Sequence, residues 1–403
     1  MADTTNRLGF PNRASPRLPA MWALEPGTRH LNHGSFGAVL EEVLDVQSEW
    51  QRRFEANPTR YVNRDLQAAM DRARDALGGF VGAEPDGLVP VRNATSGVAS
   101  VLRSFEPMLQ PGDQLLTTAH DYNAVRQTLR FTAQRTGAEV VVARVPFPIA
   151  NPAQVTDAVL AAVTPRTRLA VIDHVTSPTA LIYPIQDIVG ALEPEIPVLV
   201  DGAHGPGQVP LAIDDLGASW YTGNLHKWVC APKGAAFLHS RHDRIEMTVP
   251  TVISHGYNAP VEGPKDRYRL LFDWLGTDDP SAWAVIPEVL RLVGALETGG
   301  WEAIMKRNHD LALEGRSIIA GAVGTELPAP DDMLGAMASV ILPDAAGPPP
   351  GGDLSPLMHE LLDQGFATLV MNWPEWPRQL LRVSAHLYNT PDDYRALAEV
   401  LRT

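Results

Sequence analysis

Residues 197–204, PVLVDGAH, run four apolar residues directly into an acid and then a histidine. A strand with apolar residues at successive positions is apolar on both faces, which suits a strand covered by helices on each side. The same character recurs to either side in QLLTT (114–118), EVVVARV (139–145), RLAVIDHV (168–175), ASWYTGN (218–224) and GAAFLHS (234–240). Helical stretches, Val155 to Val163 and Ile185 to Leu192 among them, separate several of these runs. The alternation predicts an α/β fold with a mostly parallel, helix-covered sheet. In such sheets ligands bind beyond the carboxyl ends of the strands, where Asp201 and His204 would stand.

Past about residue 275 the rhythm changes. A long helical stretch leads into shorter strands, MASVILP, FATLVMNW and LLRVSAHLY, with the loop AAGPPPGG (345–352) between them. The final segment predicts a helix capped by Thr390 with Pro391 at its first position. The expected division is an N-terminal arm over 1–30 packed on the small domain, a large domain over 31–275 and a smaller C-terminal α/β domain over 276–403.

The chain has 403 residues, 45% hydrophobic and 20% charged, ordinary values for a globular protein. A net charge of -14 without a basic stripe argues against nucleic acid and anionic membrane as partners. No apolar run reaches the length of a membrane span, and the N-terminus lacks the apolar segment of a secretory signal. Cys230 is the single cysteine, so no intrachain disulfide forms, which suits a reducing, cytoplasmic setting.

Four features carry chemistry. NATSG (93–97) puts Thr95 and Ser96 at a helix start, where free N–H groups hold a phosphate or where the hydroxyls simply cap the helix. Tyr122 follows a strand, either as sheet packing or as a flat platform. Asp201 ends an apolar strand, either in a structural ion pair or as a carboxylate that keeps a nitrogen heterocycle protonated. Lys227 lies 26 residues on, between His226 and Trp228, either reaching to water or held for its amine. In this order the four are what pyridoxal phosphate needs: a phosphate site, a platform, an acid for the ring nitrogen, and an amine that forms an imine with the aldehyde.

The segments NATSG, DYNAV, DHVTS, DGAH, HKW and RVSAHLYNT also resemble the fold-type I pyridoxal-phosphate enzymes of aminotransferase class V. LNHGSFGAVL (31–40), APKGAAFLH and PTVISHGY (250–257) resemble its isopenicillin N epimerase-like subgroup, and the likeness spans roughly residues 30–400. The resemblance implies Lys227 as the cofactor lysine, Asp201 at the ring nitrogen, His204 near the ring hydroxyl, His174 near the ring oxygen and Tyr122 stacked on the ring. It implies Thr95, Ser96 and His226 at the phosphate. Asn224 stands where many relatives have a phosphate-binding serine, with Thr222 nearby. Thr277 matches a residue that reaches the neighbouring subunit's phosphate, so a homodimer with shared active sites is expected.

Arg382 matches the arginine that grips the substrate carboxylate, a task suited to a bidentate guanidinium. His33, Ser35, Tyr61, Arg64 and His255 match segments that approach the active site, as substrate contacts. The implied chemistry is a Cα carbanion on an amino acid, leading to epimerisation or C–S cleavage of a sulfur-containing substrate in secondary metabolism. Transamination and decarboxylation are the alternatives. No metal is expected. Class-V desulfurases carry a catalytic cysteine in the C-terminal part; Cys230 instead follows Lys227 and reads as buried filler.

Overall fold

The computed structural model describes residues 21–261, 264–347, 351 and 354–402. The first twenty residues of the expected N-terminal arm and parts of the 345–352 loop lie outside the described residues. Among the described residues, no helix is long and apolar enough to cross a membrane.

Among the described residues twelve strands run in chain order: β1 (Arg29–His30), β2 (Leu88–Val91), β3 (Gln114–Thr118), β4 (Glu139–Ala143), β5 (Thr167–Asp173), β6 (Val198–Gly202), β7 (Trp220–Asn224), β8 (Ala236–Ser240), β9 (Met337–Leu342), β10 (Phe366–Ala367), β11 (Leu369–Asn372) and β12 (Gln379–Ser384). Seven form one sheet in the order β2-β8-β7-β6-β5-β3-β4. The block from β4 to β7 is parallel, β8 runs antiparallel to β7, and β2 antiparallel to β8. Each of the six apolar runs is one of its strands. β6, β7 and β8 are buried at every residue, as central strands covered on both faces are, whereas β4 at the sheet edge is partly exposed. The other edge, β2, contains Pro90, which cannot donate to a ladder and is tolerated at an edge.

Helices Asn123–Thr136, Ala153–Ala161 and Ile185–Leu192 carry the crossovers between β3, β4, β5 and β6. Strand order therefore reverses between β3 and β5. The carboxyl ends there border the crevice in which doubly wound sheets bind ligands.

A second sheet, β11-β12-β9, is antiparallel, with helices Gly300–Val323 and Pro391–Leu401 packed beside it. The last helix starts with a capping box between Thr390 and Asp393 and has Pro391 in its first turn. β1 pairs in parallel with β10, tying the segment before Leu31 to the C-terminal part of the chain. Helix Ile286–Gly294 packs on helices Leu66–Val81 and Glu41–Ala56, so the chain beyond residue 275 also lies against elements that precede the large sheet.

Candidate active site

Asp173, Asp201 and Thr222 stand side by side at the ends of β5, β6 and β7, in register. Both acids are buried. Burial pushes the Asp201 carboxyl up, while the Ala203 N–H, 3.0 Å from Oδ1, and the Lys227 charge pull it back. Burial and then the Asp201 charge push Asp173 well up. Two adjacent buried carboxylates do not both stay ionised, and the Ala203 N–H bond to Oδ1 favours the anion on Asp201. Asp173 therefore holds a proton. Its place in the DHVTS segment is the only sequence signal for it.

The connection from β7 to β8 carries Lys227, whose Nζ lies 3.0 Å from His204 Nε2. Burial and then Lys227 hold the His204 pKa well down, so its imidazole is uncharged and carries one N–H. Trp228 Nε1 donates to His204 Nδ1 at 3.4 Å, which places that hydrogen on Nε2, aimed at the lysine nitrogen. The acceptor is then the lone pair of an uncharged amine. Burial, followed by the Arg382 charge, pushes the Lys227 pKa down to about 7, consistent with that assignment. His174, neutral because burial lowers it to about 4, bonds through Nδ1 to the Tyr221 hydroxyl at 3.0 Å. His174 Nε2 has no hydrogen-bond partner among the described residues.

The helix Ala94–Phe105 points its N-terminus at β7. A Cβ on Gly97 would lie 2.2 Å from Thr222 Oγ1, so only glycine allows this close approach. Asn93 Oδ1 accepts from the Ser96 N–H and hydroxyl, and Asn224 Oδ1 accepts from the Ala94 N–H at 2.8 Å. Asn224 is thus a cap for the helix through its oxygen, leaving its NH₂ as a donor. Thr222 gives its hydroxyl to the Phe237 carbonyl. The Thr95 hydroxyl has no protein partner among the described residues. His226, lowered to about 4 chiefly by burial, bonds the Ala235 carbonyl through Nδ1.

Arg382, at the centre of the small sheet on β12, is 1% exposed. Its Nη1 donates to the Ser177 carbonyl at 2.7 Å and hydroxyl at 3.2 Å; its Nη2 donates to Ser35 Oγ at 2.7 Å and Asn32 Oδ1 at 3.3 Å. Nε is buried without a partner. Among the described residues no carboxylate pairs with this guanidinium, and burial lowers its pKa to about 10. An uncompensated buried cation calls for an anionic ligand. Tyr122 is half exposed, and the Arg382 charge acts on both Lys227 and His204. Asn32 and Ser177 lie in the LNHGSFGAVL and DHVTS segments, but neither carried a role in the sequence. Their roles arise only when loops some 145 or more residues apart close on Arg382.

The other expected residues lie as follows. His33 is fully buried, with Nδ1 on the Tyr388 hydroxyl and Nε2 on the Lys227 carbonyl. Tyr61 is buried against Trp50 and Phe54. Arg64, His255 and Thr277 are exposed and, among the described residues, make no hydrogen bond to the Lys227 or Arg382 groups. Cys230 is buried two residues past Trp228, with its Sγ 3.4 Å from His386 Nε2.

The residues fit pyridoxal phosphate: an uncharged buried amine, a buried anionic acid on the adjacent strand, and a helix start with an unpartnered hydroxyl. Lys227 would hold the aldehyde carbon, Asp201 the ring nitrogen, and Thr95, Ser96 and the Asn224 amide the phosphate.

The profile of the family described as aminotransferase class-V matches residues 37–397. Relatives include a putative L-cysteine desulfhydrase 1 of Oryza sativa subsp. japonica, 34% identical over 94% of this chain and 83% of its own length. Isopenicillin N epimerase of Amycolatopsis lactamdurans is 33% identical over 94% of this chain and 96% of its own. The cystine C-S lyase C-DES, solved with its product cysteine persulfide, superposes with a TM-score of 0.77 at 18% identity, over 96% of this chain and 99% of its own. The chain belongs to the aminotransferase class-V family of pyridoxal-phosphate-dependent enzymes.

Proposed function

We propose that this enzyme takes the α-proton from a sulfur-bearing amino acid and expels the sulfur from its β-carbon, a C–S lyase reaction on cysteine or an S-substituted cysteine. The carrying observation is the buried Lys227 amine, 3.0 Å from His204 and under the influence of the Arg382 guanidinium, which among the described residues has no acidic partner. The names of the desulfhydrase relatives support the sulfur substrate.

Arg382 binds the α-carboxylate through its guanidinium, and Ser35, Asn32 and Ser177 fix the plane of that group. Lys227, as free amine, removes the α-proton once its lone pair leaves the His204 Nε2–H that holds it in the resting site. Asp201, ionised, holds the proton on the ring nitrogen, and Asp173 stays protonated so that the neighbouring charge is single. Pyridoxal phosphate, when bound, supplies the electron-accepting ring that stabilises the charge left on the α-carbon. Cleavage with one water converts cysteine to pyruvate, ammonia and sulfide. Cys230 does not serve as a persulfide carrier: it is the single cysteine, and burial pushes its thiol pKa up, away from the reactive thiolate.

Epimerisation is the second reading, supported by the isopenicillin N epimerase relatives. A homodimer is also part of the reading. Exposed Phe36, Val252, Ile253 and Tyr257 offer apolar surface for a second copy, and exposed Thr277 is available to its phosphate site. One cysteine in the chain suits a reducing compartment.

The test is incubation of the loaded enzyme with L-cysteine and S-substituted cysteines, with products identified by mass. Pyruvate, ammonia and a thiol or sulfide are expected. Exchange of the α-proton with solvent deuterium, with D-amino acid accumulating and no thiol released, contradicts the lyase and selects the epimerase.

A further inference from the structure

We propose that His33, held by Tyr388, is a positioning residue for Lys227 that acts on its backbone carbonyl. The inference rests on Lys227 being the cofactor lysine. His33 lies 194 positions before Lys227, and Tyr388 lies 355 positions after His33, so three distant segments meet here.

The hydrogen-bond directions follow from what each atom is able to do. The Lys227 carbonyl oxygen, 3.0 Å from His33 Nε2, accepts only. The His33 ring is fully buried, and burial together with His386 and His30 holds it uncharged, so it has one hydrogen to give. That hydrogen is on Nε2. Nδ1 is then an acceptor and takes the Tyr388 hydroxyl at 2.8 Å. Tyr388 therefore fixes the tautomer and His33 delivers it to the carbonyl, the arrangement by which an outer group orients an inner one.

The same carbonyl also accepts the Cys230 N–H at 2.9 Å, closing the turn Lys227–Cys230. Cys230 has a φ of +64, a left-handed conformation that a residue with a Cβ holds only where its surroundings over-determine it. Gly37, with a φ of +71, is pressed so closely on this turn that a Cβ there would lie 1.9 Å from the His226 carbonyl oxygen. Lys233 Nζ donates to the Gly37 carbonyl at 3.2 Å, tying the two segments a second time. The peptide after Lys227 is thus gripped on both sides, and the side chain before it points to His204.

His33, Cys230 and His386 also offer three metal-binding atoms within 4.8 Å of one another. The two imidazole rings, however, stack with centroids 4.0 Å apart and 17° between planes. Their lone pairs lie in two separate, nearly parallel planes, a poor arrangement for two ligands of one tetrahedral ion. Stacking by His386, with its Nε2 on the Cys230 sulfur, instead immobilises the His33 ring.

The experiment compares wild type, His33→Ala, His33→Gln and Tyr388→Phe, each loaded with pyridoxal phosphate and checked for folding by thermal melting. The readout is the pH titration of the visible absorption of the lysine-bound cofactor, with kcat and KM alongside. His33→Ala is expected to move the titration midpoint by about half a pH unit or more, and to lower kcat about tenfold with KM changed less than about threefold. His33→Gln, whose amide is able to donate to the carbonyl and accept from Tyr388, restores the midpoint. Tyr388→Phe, which deletes one hydroxyl, moves the midpoint in the direction of His33→Ala. A merely structural role lowers the melting temperature and leaves the midpoint in place. If folded, loaded His33→Ala and Tyr388→Phe titrate as wild type does, the proposal is overturned. If wild type itself forms no visible lysine-bound band, it is the assignment of Lys227 that fails instead.

Discussion

The ε-amino nitrogen of Lys227 lies 3.0 Å from Nε2 of His204, and that imidazole is turned so that its hydrogen faces the amine. A donor aimed at an ammonium would be repelled; aimed at a free amine it is bound. The relationship ties the protonation of Lys227 to the orientation of a neighbour set by Trp228.

Lys227 in the apoprotein is therefore expected to react with amine-modifying reagents with a midpoint near pH 7 rather than the ordinary 10.5. The reactive form is the free amine, so the labelling rate rises with pH through about 7 and then levels off. Competitive labelling followed by peptide mass mapping reads this directly. A rate still climbing at pH 10 contradicts the buried, uncharged assignment.

Asp201→Asn keeps the volume and removes the charge opposite the ring nitrogen. Turnover is expected to fall at least about a hundredfold, with the cofactor still bound, because the ring nitrogen loses its ionised partner while burial still pushes the Asp173 carboxyl up. Steady-state kinetics together with the cofactor absorbance check both halves of the statement.

Arg382→Lys keeps a positive charge but loses the planar fork that Ser35, Asn32 and Ser177 hold. A fall in kcat/KM of about a hundredfold, equivalent to about 2.7 kcal/mol, is expected for α-carboxylate substrates. The absorption of the lysine-bound cofactor should not change. Loss of that absorption would place Arg382 in cofactor rather than substrate binding.

Gly97→Ala forces a Cβ to within 2.2 Å of Thr222 Oγ1. The helix start must back away from β7, at a stability cost of about 1–3 kcal/mol. The Thr95 hydroxyl and the helix start then withdraw from the proposed phosphate position, so pyridoxal phosphate affinity falls more than affinity for the phosphate-free aldehyde pyridoxal. Equal losses for both would remove this helix from the phosphate site.

These expectations differ in how far the sequence carried them. The sheet was legible because β5 and β6 carry apolar residues at successive positions, and the helix Ile185–Leu192 has the bounds its pattern predicts. β2 was not read: it is four residues long and carries a proline, tolerable only because it is an edge. Asp201, His204 and Lys227 were legible because a polar group at the end of a buried strand is costly and so conspicuous. Asn32 and Ser177 were not, since a neutral polar residue in a loop carries no such signal. His33 was expected at the substrate. Both its ring nitrogens are taken up by the Lys227 carbonyl and the Tyr388 hydroxyl, a commitment created by contacts 194 and 355 residues apart in sequence.

The central claim is that one lysine carries the cofactor, and borohydride reduction of the loaded enzyme, followed by digestion and mass mapping, tests it most directly. The expected result is a single pyridoxyl-phosphate adduct on Lys227. An adduct on Lys233 or on another lysine, or an unmodified Lys227 after complete loading, contradicts it.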